Sequence, residues 1–249
     1  MNEVIQQLKN RKSVRVFEPR GIDEEIKKEI MNSAFEAPTA GAMMLYTILN
    51  ITDQKVKEEL AILCDDQPFI SKAPLVLVFL ADFQRWYDSF QYAKCNPRTP
   101  RSGDILLAYA DAVIAAQNTV VAAESYGIGS CYIGDVIENC EKVRELLNLP
   151  EYVLPAAMLV YGYPTQQQLD RKKPARYDSR YIVMENTYRK LTEEEHMAMH
   201  EEREAKAGTS QVDVLDKLQA FCNRKYMSDF SIEMSRSADE YLKNFMKEK

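Results

Sequence analysis

The sequence has little of what marks several common classes of protein. Its 249 residues include only two histidines and one tryptophan, and no run of 18 or more apolar residues occurs. We therefore expect no membrane-spanning helix. The polar N-terminus has no apolar segment after its charges, so no secretory signal peptide is expected.

Cysteines are also sparse and unpaired in the sequence. There are five, scattered along the chain, and none forms a C-x-x-C pair: Cys64, Cys95, Cys131, Cys140 and Cys222. An odd, scattered set argues against a disulfide framework and predicts a reduced, cytoplasmic protein.

The chain lacks an excess of positive charge. It has 32 basic and 38 acidic residues, a net charge of -6 and a pI near 5.2. General nucleic-acid binding favours a basic face, so the balance argues against nucleic acid as a partner. The basic residues that are present are therefore expected to serve a small anion.

Hydrophobic periodicity predicts alternating helices and strands. Helices are predicted at residues 2–9, 24–35, 54–64, 104–126 and 139–148, and strands at 46–52, 75–81 and 153–161. The aromatic-rich segment 83–103 is predicted to be irregular, either a lid or a partner-facing excursion. Residues 1–191 are predicted to form the main domain, and residues 192–249 a helical extension of that domain, with a turn at Gly208-Thr209-Ser210.

The most informative motif is the opening Arg11-Lys12-Ser13-Val14-Arg15. In an extended segment, alternation places Arg11, Ser13 and Arg15 on one face. Guanidinium and hydroxyl donors match the oxygens of an anionic ligand. A charged surface strand without a ligand is the alternative interpretation.

Three further segments could contact a ligand. They are the small-residue segment 37–44, the glycine-rich segment 126–135 and the basic cluster 171–176. The glycine-rich segment follows a helix, so it is not a dinucleotide-binding G-x-G-x-x-G, and it lacks the Gly-Lys-Ser/Thr of a P-loop. Taken singly, they could equally be an ordinary connector, a glycine helix cap before a strand, and a solvated loop.

Together the four segments resemble the nitroreductase family of flavin-dependent oxidoreductases over nearly the whole chain. The residues that carry the resemblance are the opening motif, Ala37-Pro38-Thr39-Ala40-Gly41, the loop at 127–134, and Val160–Pro164 followed by the basic cluster. The segment 181–188 and the helical tail are most similar to the larger NADPH-type nitroreductases and flavin reductases. The resemblance implies an α+β fold, with a mixed β-sheet sandwiched by helices and a C-terminal helical extension. It also implies a homodimer that holds FMN at its interface, with the apolar helix 104–126 at the centre of the dimer.

The resemblance also implies roles for individual residues. It assigns the FMN phosphate, ribityl chain and pyrimidine edge to the opening motif, with Arg15 beside the N1/O2 edge, where a cation raises the flavin potential. The remaining residues implied in cofactor binding are Pro38, Thr39, Gly41, Gln67, Tyr132, Ile133, Gly134, Lys173 and Arg176. Gln67 would contact the ring, and Lys173 and Arg176 would approach the phosphate. The segment Tyr132, Ile133 and Gly134 would line the ring and place a backbone donor near N5. Pro38, Thr39 and Gly41 would come from the other subunit or the facing wall.

The implied reaction is a ping-pong hydride transfer from NADH or NADPH, through flavin N5, to a nitroaromatic, quinone or flavin acceptor, with no catalytic side chain. Three departures from the family pattern bear on this. Met43 and Met44 make the pocket more apolar, and the wider spacing of the basic cluster leaves Arg171 or Lys172 as alternative phosphate ligands. Residues 204–215 contain one cation, Lys206, which argues against strong NADPH preference and leaves both donors open.

Three alternatives remain beside this interpretation. His196 and His200 are spaced to share one helix face and could bind zinc, but there is no third histidine, and a solvated helix is favoured. Cys131 has no histidine nearby in sequence to activate it, so packing is favoured over catalysis. A non-catalytic flavin-binding storage or sensor protein would use the same phosphate-binding residues.

Overall fold

The computed structural model describes residues 2–209 and 213–246. Its centre is a sheet with strand order β1-β2-β4-β3, formed by β1 (Tyr46–Asn50), β2 (Leu75–Asp82), β3 (Gly129–Ile133) and β4 (Val153–Gly162). All three pairings between these strands are antiparallel. Within the described residues, parallel pairing occurs at one isolated bridge, between Ser13 and Ser130. The predicted α+β class is confirmed, with parallel pairing confined to that bridge.

The apolar run at residues 75–81 is a central strand, as predicted. Every residue of β2 is buried, because alternate side chains enter two different apolar clusters. Leu77 and Phe79 pack in one cluster, whereas Val76 and Val78 pack in the other. A strand covered on both faces has no polar side, which explains its unbroken hydrophobic sequence.

Helices occur at most of the predicted positions. They are α1 (Glu3–Asn10), α2 (Glu24–Asn32), α3 (Gln54–Leu63), α4 (Phe69–Lys72), α5 (Gln84–Tyr92), α6 (Ser102–Ser125), α7 (Cys140–Leu147), α8 (Gln166–Asp170), α9 (Glu193–Ala207), α10 (Val214–Phe221) and α11 (Asp229–Met246), with a π-helical turn at Cys222–Tyr226. Side-chain caps fix several starts: the Asn2 and Asp53 side chains accept backbone N–H groups of α1 and α3. The prediction that 83–103 is irregular is wrong, because α5 occupies nine of these residues.

The longest helix, α6, packs one side on the sheet and leaves the other open. Its inward face is rich in alanine, and Ala108, Ala112 and Ala116 are fully buried. Leu106, at 69% exposure, and Leu107, at 52%, lie on the open side. By length and composition α6 alone among the described helices could span a membrane, yet its inward face is part of the core. The apolar circumference predicted for this helix is therefore only half covered within one chain.

The opening segment runs along β3 and β4 without forming a regular strand. Ser13 bridges Ser130, and Phe17 bridges Pro164. A Cβ built on Gly129 would lie 2.5 Å from a Val14 methyl, and one on Gly162 would lie 2.6 Å from the Phe17 ring. Glycine at both positions therefore lets the segment approach the sheet closely.

Contacts divide the chain into two compact units. The first contains residues 1–171 and 233–249, and the second contains residues 172–232. This grouping does not use residue 191 as a boundary, and the predicted domain division stays a prediction. The tail is helical as expected, and α9 ends at Gly208, whose φ is 79°. Ser210, in the predicted turn, and part of the 204–215 segment lie outside the described residues.

Candidate functional site

Arg11, Ser13 and Arg15 come together beside Cys131 of β3. Burial raises the pKa of the Cys131 thiol, and Arg15, Ser13 and Arg11 each act on that thiol in the opposite direction. Residues at alternate positions of an extended segment project to the same side. The predicted common face of the opening motif is therefore present, and Val14 lies on the other side, buried against Gly129.

The Arg11 guanidinium has donors without acceptors. Its Nε and Nη2 atoms are buried and make no hydrogen bond, while its Cζ lies 6.0 Å from the centre of the Tyr132 ring. Buried donors are nearly always satisfied, and an unpaired buried cation is costly. Arg11 is therefore equipped for an anionic group that would accept from both nitrogens.

Two other cations near the opening motif, Lys12 and Arg171, are occupied by backbone carbonyls. Lys12 Nζ donates to the carbonyls of Leu169 and Arg171, each at 2.5 Å. Arg171 Nη2 donates to the Ser13 carbonyl at 2.7 Å, and the Arg15 N–H donates to the Gln168 side chain at 3.2 Å. These bonds fix the opening motif against α8, so Arg171, which sequence reasoning named as an alternative ligand, contacts the motif directly.

Asp111 holds the small-residue segment and was missed by sequence reasoning. Its buried carboxylate accepts from the Thr39 hydroxyl, from Ala40 N–H at 3.1 Å and from Leu45 N–H at 3.2 Å. Thr39 Oγ1 also accepts from Met44 N–H at 2.8 Å, so its donor is committed within the protein. The available signal was an acid within the apolar stretch Ile105–Ala116 of the core-facing helix.

The same segment has an unusual backbone that these bonds stabilise. Gly41, Ala42 and Met44 have φ values of 55°, 56° and 51°. Left-handed backbone is unfavourable for alanine and methionine, so surrounding contacts must impose it. Arg85 donates to the carbonyls of Met44 and Tyr46, and Trp86 Nε1 donates to the Met43 carbonyl at 2.7 Å. Helix α5 is thus bound to the segment.

A second group of predicted residues surrounds the end of β3. Gln67 Nε2 donates to Asp135 Oδ2 at 2.6 Å and to the Cys64 carbonyl at 2.7 Å. A Cβ built on Gly134, which is exposed, would meet no atom within 4 Å. Gly134 therefore borders open space, as a residue facing a ligand would.

Tyr132 and Ile133 are the last two residues of β3 and directly precede Gly134. The Tyr132 hydroxyl donates to Gln117 at 3.2 Å, and burial raises the pKa of Tyr132 to about 12. Ile133 is buried, so its side chain belongs to the core and only its backbone could meet a ligand.

Lys173 and Arg176 belong to the second unit, in which Arg176 Nη1 donates to the Pro174 carbonyl at 2.8 Å. Their predicted approach to the phosphate stays a prediction. The tail also gathers several cations at one cavity, whereas the sequence analysis found only Lys206 within residues 204–215. A cavity of about 390 Å³ is lined by Arg203, Lys217 and Arg224, together with aromatic residues.

His200 lines this cavity and pairs with Tyr177. The Tyr177 hydroxyl lies 3.3 Å from His200 Nδ1, and burial lowers the pKa of His200. His200 therefore contacts Tyr177 in this cavity. The sequence had predicted only that His200 and His196 share one face of a helix.

Comparison with known proteins identifies the class. The sequence model of the Nitroreductase family matches residues 8–163, so the chain belongs to this family, as the resemblance predicted. "FMN reductase (NADPH)" of Bacillus subtilis is 33% identical over 196 residues, 78% of each chain. A "Cr(VI) reductase" of a Pseudomonas species is 32% identical over 253 residues, covering 97% of this chain and 96% of that one. The structure of NfrA2 from Bacillus megaterium superposes with a TM-score of 0.83 over the whole of both chains, at 27% identity.

Proposed function

We propose that this protein is an FMN-dependent NAD(P)H oxidoreductase whose phosphate-binding centre is the face formed by Arg11, Ser13 and Arg15. Family membership and the reductase relatives support FMN as cofactor and NAD(P)H as electron donor. The observation that carries the placement is the pair of buried, unpartnered Arg11 nitrogens.

The donor set fits a flavin mononucleotide. A phosphate monoester is a dianion near neutral pH, and a guanidinium can bind it through two parallel hydrogen bonds. Lys12 and Arg171 fix the backbone around this guanidinium instead of competing for the anion. The exposed Gly134, with open space where a Cβ would be, can admit a flat ring.

Bound at this site, FMN would supply the redox chemistry, namely hydride uptake from NAD(P)H and two-electron delivery to the acceptor in ping-pong order. The protein residues orient and tune it. Arg15 is assigned to the edge of the ring that becomes negative on reduction, whereas Arg11 and Ser13 hold the phosphate end. Nitroaromatics, quinones and free flavins are the proposed acceptors.

We expect NADPH to be the better donor. Arg203, Lys217 and Arg224 line one cavity in the second unit with a single carboxylate, Glu204, among them. The surplus of positive charge suits the additional phosphate of NADPH. Reduction rates measured separately with NADH and NADPH test this, and Arg224→Ala should narrow the difference. Equal rates in the unchanged protein would contradict it.

A homodimer is proposed from the open side of α6. Leu106, Leu107 and Ile114 are 69%, 52% and 41% exposed, and they lie on one side of an otherwise packed helix. Val4 and Leu8 of the adjoining α1 are about as exposed as Ile114. A contiguous apolar surface of this kind marks an interface, and a second copy of the chain would bury the same patch on both subunits.

Leu106→Glu tests the dimer because it places a charge in the proposed interface. Sedimentation should show the unchanged protein as a dimer and the variant shifted towards monomer. The matched control is Ile62→Glu on α3, whose side chain is 59% exposed and lies outside the patch. If Leu106→Glu and Ile62→Glu both leave the protein dimeric, the interface lies elsewhere.

The central experiment is spectroscopic. The purified protein, supplemented with FMN, should show bound flavin absorbance that NAD(P)H bleaches without air and that a quinone or nitroaromatic restores. A flavin that binds but is not bleached would favour the storage or sensor alternative. A protein that binds no FMN would refute both. We also propose a cytoplasmic location, where NAD(P)H is available and the five free cysteines stay reduced.

A further inference from the structure

Behind Gln67 lies a buried carboxyl group that the proposed function does not use. Glu138 follows the 310-helical turn Asp135–Ile137 and is only 4% exposed. Its Oε1 atom is buried and has no hydrogen-bond partner. A buried carboxylate without a donor is costly, so the absence of one requires an explanation.

A second carboxyl group is held close by, because the Glu138 N–H donates to the backbone carbonyl of Asp135 at 3.0 Å. Glu138 and Asp135 interact through their side chains, and two carboxylates can hydrogen-bond only if one carries a proton. Burial, together with the charges of Asp135, Asp65 and Glu233, raises the pKa of Glu138 to about 7. The neutral form of Glu138 can donate to Asp135, which satisfies both groups.

Asp135 in turn fixes the orientation of Gln67. The Gln67 amide nitrogen has two hydrogens, and both are used, one on Asp135 Oδ2 and one on the Cys64 carbonyl. Both neighbours are acceptors, so the nitrogen must face them. No donor among the described residues reaches Gln67 Oε1, which is left as an acceptor for a ligand.

We propose that Glu138 and Asp135 share one proton, and that this proton holds Gln67 with its amide oxygen available to an N–H group of the flavin. The proposal rests on the proposed FMN site. Glu138 is a positioning residue, because it acts through Asp135 and Gln67. Loss of the proton leaves two adjacent carboxylates, Glu138 buried and Asp135 half-buried, which repel each other and displace the Asp135 side chain.

The charged and titratable groups around Glu138 favour its protonated form. Asp65 follows α3, and Glu233 of α11 accepts from the Asn139 N–H at 3.2 Å. Glu233 is itself paired with Arg236, at 2.8 Å, so that cation is already engaged. The Cys64 thiol contributes no charge, because burial and the nearby Asp135 and Glu138 raise its pKa.

The first experiment measures the proton directly. Full-length protein, with and without FMN, is labelled with ¹³C at the glutamate carboxyl carbon, and the resonance of Glu138 is assigned by its loss in Glu138→Gln. Glu138 should titrate near pH 7. In Asp135→Asn its midpoint should fall towards that of ordinary glutamates, at about 4.3. Titration of Glu138 with the other glutamates in the unchanged protein would overturn the proposal.

The second experiment measures the consequence for the cofactor. Flavin fluorescence gives the Kd of FMN from about pH 6 to about pH 8.5, a range that brackets the expected midpoint. Relative to Glu138→Gln, which stays neutral, the unchanged protein should lose affinity roughly three- to tenfold over the upper part of this range. Titration of the FMN phosphate affects both proteins equally and cancels in the ratio.

The control is Glu145→Gln on α7, an exposed glutamate that gives the same change in charge. Its pH profile should follow the unchanged protein. Parallel profiles for Glu138→Gln and the unchanged protein would overturn the positioning role even if Glu138 titrates near 7. Absence of FMN binding at every pH would instead refute the proposed function, while the carboxyl titration would still decide whether the proton is shared.

Discussion

Replacing Gly129 with alanine should push the opening motif away from the sheet. The added Cβ would lie 2.5 Å from Val14 Cγ2, 2.9 Å from Val14 Cβ and 3.2 Å from Val14 Cγ1. Valine is stiff at its first side-chain torsion, and Val14 N–H is bonded to the Ser130 carbonyl at 2.9 Å, so Val14 has little freedom to turn aside.

The loss of stability can be estimated from the two ways in which the protein could relieve this clash. If the contact is accommodated by strain, overpacking costs about 1–3 kcal/mol. If the segment detaches instead, the protein loses the burial of Val14, which is worth about 1.5–3 kcal/mol. Both routes give a similar loss of stability, equivalent to roughly 2–4 °C in Tm for each kcal/mol. Detachment also separates Arg11 and Arg15, so the Kd for FMN should rise by about tenfold or more.

The assay is thermal and urea unfolding together with an FMN titration, for Gly129→Ala, Val14→Ala and the double variant. In the double variant both methyl contacts disappear and only the 2.9 Å contact with Val14 Cβ remains. Its loss of stability should therefore be smaller than the sum of the single losses by about 0.5–2 kcal/mol.

Gly103→Ala is the matched control, because a Cβ there meets nothing within 4 Å in the first turn of α6. It should be neutral or stabilising by up to about 1 kcal/mol. If Gly129→Ala behaves like Gly103→Ala, or if its effect adds to that of Val14→Ala without coupling, the close approach of the opening segment is refuted.

Four further predictions concern the cofactor and pH. Gly134→Ala should leave the free energy of unfolding within about 0.5 kcal/mol of that of the unchanged protein, because its Cβ meets no protein atom, but should weaken FMN binding by filling the open space; unchanged affinity would place the ring elsewhere. Arg15→Ala should lower the two-electron potential of bound FMN by about 20–40 mV, with a smaller effect on Kd; release of FMN without a shift in potential would contradict the assignment. Asp111→Asn puts a donor where the carboxylate now accepts three hydrogen bonds, so stability should fall by about 2–4 kcal/mol in urea unfolding; a loss below about 0.5 kcal/mol would show that these bonds do not hold the segment. Because the pKa of Glu138 is raised in the folded state, the native protein retains a proton that the unfolded chain loses, so stability should decline from about pH 4.5 to about pH 7; Glu138→Gln should flatten that part of the urea-midpoint profile, and an unflattened profile would count against the shift.

The regular elements could be predicted because their signals are local. The run at 75–81 is apolar on both faces, and Asp23 caps α2 with its own side chain, accepting from Glu25 N–H at 2.9 Å. The prediction that residues 83–103 are irregular was wrong because it also relied on a local signal. The dense aromatic residues of this segment suggested a lid, whereas Trp86 and Tyr87 pack partly into the core and form one side of a regular helix.

The site was only partly predictable, because its supporting contacts join residues far apart in sequence. The common face of Arg11, Ser13 and Arg15 follows from strand alternation alone. The role of Asp111, in contrast, depends on donors about 70 positions away, which no local pattern shows. Gly129 belongs to the glycine-rich segment 126–135 that could contact a ligand, and Gly162 belongs to the segment 160–164 that carries the family resemblance. In the structure, a Cβ at either would collide with the opening segment, so both glycines shape the protein's own packing.

The contacts of α5 change how acceptor selectivity should be tested. Deleting residues 86–98 is the direct way to ask whether this segment shapes access of the acceptor, provided that FMN stays bound. Trp86 and Arg85, however, donate to backbone carbonyls of the segment that Asp111 also holds, so the deletion would disturb this segment as well. A finer change is Tyr92→Ala at the end of α5, since this ring is 83% exposed and the residue lies outside those bonds. If 83–103 shapes acceptor access, this variant should change the kcat/KM ratio between a quinone and a nitroaromatic without changing the Kd for FMN. An unchanged ratio would mean that α5 only supports the small-residue segment 37–44 and does not shape access of the acceptor.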